Sequence, residues 1–271
     1  MWAAFYHAVP VNPRSGPPPS ATEAIASGDP RAIKALYTHL GDQLWDTYGR
    51  GAEATPVFSL PETLPVVMDQ MGALTGLILD AGCGPNPAAS IALAAHPDRR
   101  VISLDFAHGI VRLARTVADA TGASILGVVG DVEHLPFRAG AFDGLVCDDT
   151  IEHLPEDGVG VAELARVTRG GGRLVLATPN RHNARILRRR LRDRLAGQRL
   201  PIEAYFLTDC HLREYTWREF TGLVAAHATV VGRAGVGWTG GWKSRLASRL
   251  TRLPAGRRLG AMIVLVAEPP N

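Results

Sequence analysis

Leu77-Ile78-Leu79-Asp80-Ala81-Gly82-Cys83-Gly84-Pro85-Asn86 is the stretch on which the reading of this chain turns. A short apolar run ends in an acid, then breaks into a loop with two glycines. A buried strand that ends this way delivers a carboxylate and exposed backbone amides to one rim of a sheet, the rim where open α/β folds bind ligands. The glycines let the backbone turn sharply and approach a ligand without Cβ interference. The loop lacks the Lys-Ser/Thr pair of a P-loop, and the third glycine and spacing of a dinucleotide fingerprint. An acid at the strand tip suits a cationic or hydroxyl-rich ligand better than a pyrophosphate.

The same unit recurs downstream. Val101-Ile102-Ser103-Leu104-Asp105 reads as a second buried strand ending in an acid, separated from the first by one helix over roughly residues 87–96. Phe106 to Arg115 reads as the next helix. Ile125 to Val129 is a third strand and runs into Gly130-Asp131-Val132-Glu133-His134-Leu135-Pro136-Phe137. A fourth, Phe142 to Asp148, runs into Asp149-Thr150-Ile151-Glu152-His153-Leu154-Pro155. An amphipathic helix over 158–168 and a Gly170-Gly171-Gly172 turn precede a fifth strand, Arg173 to Ala177, which ends in Thr178-Pro179-Asn180.

Taken together, these segments resemble class I S-adenosylmethionine-dependent methyltransferases, in order and spacing. The resemblance is firm over roughly 57–180 and looser over 205–268. It implies a Rossmann-like, doubly wound seven-stranded α/β sheet of order 3-2-1-4-5-7-6 with strand 7 antiparallel. The alternation itself is in the residues; the order is carried by the resemblance. It also implies S-adenosyl-L-methionine as cofactor, held by Asp80, Ala81, Gly82, Cys83 and Gly84, by Asp105 and Phe106 at the ribose, and by Asp131 and Val132 at the adenine, with Asp148 beside them. An ionised carboxylate can accept two hydrogen bonds from a vicinal diol, which suits Asp105. Asp148 and Asp149 depart from the family, where small or apolar residues are usual.

Methyl transfer from a sulfonium asks the protein to align the acceptor, exclude water and remove a proton where needed, so catalytic signals are sparse. His153 is the first candidate base, with Asp149 and Glu152 close in sequence, because an imidazole titrates near neutrality and a carboxylate can fix its tautomer. The alternative is a histidine that packs under the next loop. His211 is the second candidate, in His211-Leu212-Arg213-Glu214-Tyr215-Thr216, which resembles a segment of methyltransferases acting on polar small molecules and sugar or lipid intermediates. The alternative is a helix entry with Arg213 and Glu214 paired on the surface and Tyr215 stapling the first turn. The acids around 148–157 could suggest Mg²⁺. Acids at a helix start also stabilise its positive end, and no metal is expected.

The chain has 271 residues and 46% apolar composition, enough for one large α/β domain with additions. Residues 1–55 read as a Pro-rich flexible start followed by a helical cap, and 56–271 as the methyltransferase domain with insertions at about 181–214 and 235–259. In the cap, Leu36, Leu40, Leu44 and Trp45 fall on one helical face, covering either the cofactor cleft or a sheet edge. A signal peptide is not expected, since the first ten residues lack a basic segment and an apolar core. Three cysteines make no disulfide framework. A cytoplasmic protein is expected.

Net charge is +3, but arginines crowd 181–199 and, with Lys243, 243–258. They form a solvated face, a surface for anionic lipid, or a nucleic-acid contact. Trp238 and Trp242 beside Lys243 favour lipid, and nucleic acid is not expected. The expected partner is a small-molecule acceptor taking methyl on oxygen: a secondary metabolite, a sugar or a related intermediate. N-methylation of a natural-product amine, methylation of a quinone or lipid carrier at the membrane surface, and a non-catalytic cofactor-fold protein stand as alternatives. Oligomeric state is not legible.

Overall fold

A computed structural model describes residues 23–24, 27–49, 60–205, 211–237 and 258–270. The Pro-rich stretch 12–20 and the Trp238, Trp242 and Lys243 part of the second insertion lie outside these residues. Seven strands form one sheet: β1 Gly76–Ala81, β2 Arg99–Asp105, β3 Ile125–Val129, β4 Phe142–Asp148, β5 Thr168–Pro179, β6 Thr229–Val236 and β7 Met262–Glu268. Their order is β3-β2-β1-β4-β5-β7-β6, as the resemblance implies. The first five pair in parallel, and β7 runs antiparallel to both β5 and β6.

Helices are α1 Pro30–Leu44, α2 Leu64–Met71, α3 Ala88–Ala94, α4 His108–Ala120, α5 Asp157–Val167, α6 Ala184–Leu195 and α7 Trp217–Ala225. The central parallel strands β1 and β4 and the second half of β5 are buried on both faces, so they read as apolar runs without alternation. One core, with Leu79, Leu145, Phe142, Leu176 and Phe220, lies under α5 and α7; another, with Ile78, Val146 and Val175, lies under α2 and α3. Each fully buried side chain of this kind contributes roughly 1.5–3 kcal/mol.

One boundary differs from the sequence reading. The glycine run 170–172 is part of β5, which begins at Thr168, with irregular pairing to β4 between Phe142 and Gly144; the expected turn is a bulge inside the strand. Thr216 is the N-cap of α7, with Glu219 completing the capping box. On α6, Ile186 is buried, but Leu187, Leu191 and Leu195 stay outside the core.

Asp29 caps α1, accepting from the Arg31 amide, with Pro30 in the first turn. Leu36 and Leu44 are buried, and Leu44 joins Ala107, Ile110, Leu113 and Val117 of the α4 region. Close approach of α1 and α4 depends on Gly109, where a Cβ would overlap the Gly41 carbonyl. From this seat α1 reaches Asp131 and Glu133 through Lys34 and His153 through Tyr37. Among the described residues no helix is long and apolar enough to cross a membrane.

Candidate functional site

The rim is built from strand ends. β1 delivers Asp80 and the turn 82–84. Gly82 has φ +79°, and a Cβ there would overlap Thr150 Oγ1, so the turn can pass under Thr150 only as glycine. The Gly82 and Cys83 amides donate to the Leu104 carbonyl, pinning the turn to β2. The Asp80 carboxylate points inward. It accepts from Ser90 Oγ at 2.5 Å, and Ser90 meets Ser103 at 2.6 Å. Burial pushes Asp80 up to about 6, opposed by the Ser90 bonds and assisted by the Asp105 charge. Asp80 therefore anchors the loop from below, and Ala81 and Cys83 are buried beside it.

Asp105, at the tip of β2, faces the turn. One oxygen accepts from the Gly84 amide at 3.1 Å and the other from the Ala107 amide at 3.0 Å. Burial raises it to about 6, against the amides of Ala107, Gly84 and Phe106. A carboxylate offers about four acceptor directions, so capacity remains for a pair of hydroxyls. Asp148, at the tip of β4, accepts from Thr63 Oγ1 through one oxygen, while the other is buried without a hydrogen-bond partner. Burial raises it to about 7, opposed by Thr63 and reinforced by Asp149 and Asp80. A buried carboxylate oxygen lacking a partner is costly and suits a cationic group. Glycine turn, diol-ready Asp105 and cation-ready Asp148 fit the nucleoside and ammonium ends of S-adenosylmethionine.

Asp131 is already engaged. It accepts from the Glu133 amide at 2.9 Å and from Lys34 of α1 at 2.5 Å, and Lys34 also reaches Glu133 at 2.7 Å. Burial pushes Asp131 up, but these partners outweigh it and leave it below the usual carboxylate range. Val132 packs into the main core, and the exposed Phe106 ring lies 5.8 Å from the Lys34 ammonium.

On the opposite bank, His153 sits in a short 3₁₀ turn after β4. Its Nδ1 meets Tyr37 Oη of α1 at 2.6 Å, and its ring lies 4.8 Å from that of His211. Glu214 Oε1 holds the buried His211 Nδ1 at 3.1 Å. The surface pairing of Arg213 with Glu214 is not what forms: Glu214 is 1% exposed. Arg213 instead donates to the Leu154 and Pro155 carbonyls at 2.8 and 3.1 Å, and Tyr215 donates to Asp157 at 2.6 Å. The segment is thereby tied to the loop that carries His153. Asp149 adopts a left-handed φ of 55°, uncommon outside glycine but tolerated by Asp. Glu152 is fully buried and accepts from Thr178 at 2.9 Å. Burial first, then the Asp149 carboxyl beside it, push Glu152 well above the usual carboxylate range.

Two groups among the described residues bring donor atoms within 4.8 Å, close enough to hold a cation: Glu152 with His153 and His211, and Asp131 with Glu133 and His134. Lys34 already neutralises the second. Lys34, Tyr37, Thr63 and Thr178 were not singled out by sequence. A polar Lys34-Tyr37 pair one turn apart on an otherwise apolar-faced helix is the only local signal for them.

Residues 79–176 match a family model described as Methyltransferase domain. An uncharacterized 37.1 kDa protein in transposon Tn4556 of Streptomyces fradiae is 34% identical over 117 residues, 42% of this chain and 34% of that protein. A ubiquinone biosynthesis O-methyltransferase of Xanthomonas axonopodis pv. citri is 28% identical over 164 residues, 60% of this chain and 66% of the relative. The chain thus spans from a third to just under two thirds of these relatives. Magnesium protoporphyrin IX methyltransferase from Synechocystis, crystallised with S-adenosylhomocysteine, superposes with a TM-score of 0.58 at 16% identity, over 89% of this chain and all of that one. That last likeness is one of fold.

Proposed function

We propose, from the premise that residues 79–176 are a class I S-adenosylmethionine-dependent methyltransferase domain, that this protein moves a methyl group onto an oxygen of a small hydroxylated molecule. The observation that carries the reading is His153, flanked by Tyr37 and His211 on the bank facing the Asp105 and Gly82–Gly84 cleft.

The cofactor supplies an activated methyl on sulfur, so the protein's task is placement and proton removal. Asp105 would hold the sugar hydroxyls and Asp148 the ammonium, with Asp131 and Lys34 toward the adenine. If His153 Nδ1–H donates to Tyr37 Oη, Nε2 is left as the acceptor. That nitrogen would take the proton released by the acceptor hydroxyl when the bound cofactor supplies its methyl group. Glu152, fixed by Thr178, and Asp149 behind the turn, with His211 held by Glu214, keep His153 in place. We read this group as acid–base machinery, with Tyr37 and Glu214 already engaging the two imidazoles.

A second reading, a quinone-type phenol as acceptor, draws support from the 28% identity to a ubiquinone biosynthesis O-methyltransferase. Calorimetry with S-adenosylhomocysteine, followed by methyl transfer to a dihydroxybenzoate and to an aryl amine with chelator present, tests the proposal. Binding and an ether product are expected. No heat of binding removes the cofactor assignment, an N-methyl product alone moves the acceptor to nitrogen, and loss of turnover in chelator returns Glu152, His153 and His211 to a metal.

A further inference from the structure

Helix α6 carries six arginines and one aspartate on twelve residues. Leu187, Leu191 and Leu195 recur every fourth residue and are 40%, 59% and 81% exposed, increasingly so toward the end of the helix. At 3.6 residues per turn they form one stripe, with Arg190 and Arg194 along one flank and Arg185, Arg188 and Arg192 along the other. The opposite face is fixed to the protein. Ile186 and Asp193 are buried there, Asp193 lies 4.0 Å from Arg189, and Arg189 stacks 5.1 Å from the Tyr205 ring. The apolar stripe is therefore held outward by packing on its far side.

We infer that α6 is a docking helix for an anionic lipid bilayer. Three observations point to lipid. First, arginines on both flanks of an apolar stripe match an interfacial helix, whose leucines enter the acyl boundary while its cations meet phosphates. A nucleic-acid surface needs the arginines but gains nothing from three leucines between them. Second, Arg190, Arg194 and Arg199 line a cavity of about 410 Å³ with Gln198, Leu200 and Tyr205 on the same flank, of a size and charge to take a phospholipid headgroup. Third, the described residues 258–261 meet the start of α6. Gly237 accepts from Ala261, Arg258 accepts from Asn180, and the Ala184 amide that opens α6 donates to Leu259. Asn180 follows Thr178, which holds Glu152, so the bilayer-facing corner adjoins the acceptor bank. The inference rests on these surface residues and not on the identity of the acceptor.

Flotation of the full chain with phosphatidylglycerol–phosphatidylcholine vesicles at physiological salt tests it. The wild type should co-float with these vesicles and not with pure phosphatidylcholine. The exposed pair Leu191→Gln/Leu195→Gln should weaken partitioning about tenfold with an unchanged circular dichroism spectrum. Leu126→Gln, equally exposed on the far edge strand β3, should leave it unchanged. No retention on anionic vesicles overturns the inference. So does binding indifferent to the leucine pair, whether it is displaced by a single-stranded RNA oligomer or lost only in Trp238→Ala/Trp242→Ala. Calorimetry with S-adenosylhomocysteine on the same preparations separates the two readings: intact cofactor binding without flotation removes docking alone, and the converse removes methyl transfer alone.

Discussion

The two banks of the cleft are built by different means. On the donor side, Asp80, the 82–84 turn and Asp105 lie within 26 residues of chain and act largely through backbone amides and single carboxylates fixed at strand ends. On the acceptor side, Tyr37, Glu152, His153, Thr178, His211 and Glu214 come from four separate segments and act through side chains alone. The donor bank is a property of a βαβ unit and would form in any chain that folds this sheet. The acceptor bank exists only when α1, β5 and the segment before α7 have all converged, so it is free to differ between proteins that share the sheet.

If the comparison is right, the largest effect lies on the acceptor bank and falls on rate. His153→Ala should lower kcat by about 10²- to 10³-fold, the usual worth of a positioned base, with S-adenosylhomocysteine affinity within about threefold of wild type. Turnover near wild type would make His153 a packing residue and reduce the acceptor bank to shape. Next, Asp105→Ala should weaken S-adenosylhomocysteine binding about 100-fold in calorimetry, from two lost charge-assisted hydrogen bonds, without altering the circular dichroism spectrum. Unchanged affinity would remove Asp105 from the cofactor site and break the donor half.

The smallest effect sharpens the contrast through pH. Asp148 is raised to about 7 by burial, with Thr63 opposing, from an ordinary value near 3.8. Between those limits the folded state binds more protons than the unfolded, so this group's contribution to stability is lost as pH rises through about 7. Asp148→Asn stays neutral throughout. Its melting temperature relative to wild type should rise by about 3 °C or more between pH 5 and pH 8. It should also bind S-adenosylhomocysteine more weakly at pH 8. A variant that is more stable yet binds less would mark Asp148 as a residue kept for its ligand.

The same contrast decides what could be read from sequence. Asp105 was legible because an acid ending a short apolar run is a local pattern, and the helix length between two such runs sets their spacing. Strand order was carried by the family resemblance, because alternation of strands and helices leaves the order open. Glu214 was visible in its motif but not its burial, which depends on the distant loop that Arg213 grips, so surface pairing with Arg213 was an equally good reading of the residues. Asp131 was found, yet not its partner, since nothing in Pro30–Leu44 encodes that Lys34 lands there. For the α6 leucines, helical spacing of apolar residues is the same whether the stripe meets a core or stands outside it, so their exposure is not legible in the residues.

Helix α1 binds positions 97, 99 and 116 residues further along the chain. It is synthesised before either landing point exists, and closing loops of that length carries an entropy cost that only a formed rim can offset. Docking of α1 is therefore expected to follow assembly of the sheet. A molecule arrested just before it would have the secondary structure and most of the core of the finished protein, yet lack the phenol beside His153 and the cation beside Asp131. Turnover would then report the last step of folding, one that spectroscopy of the sheet passes over.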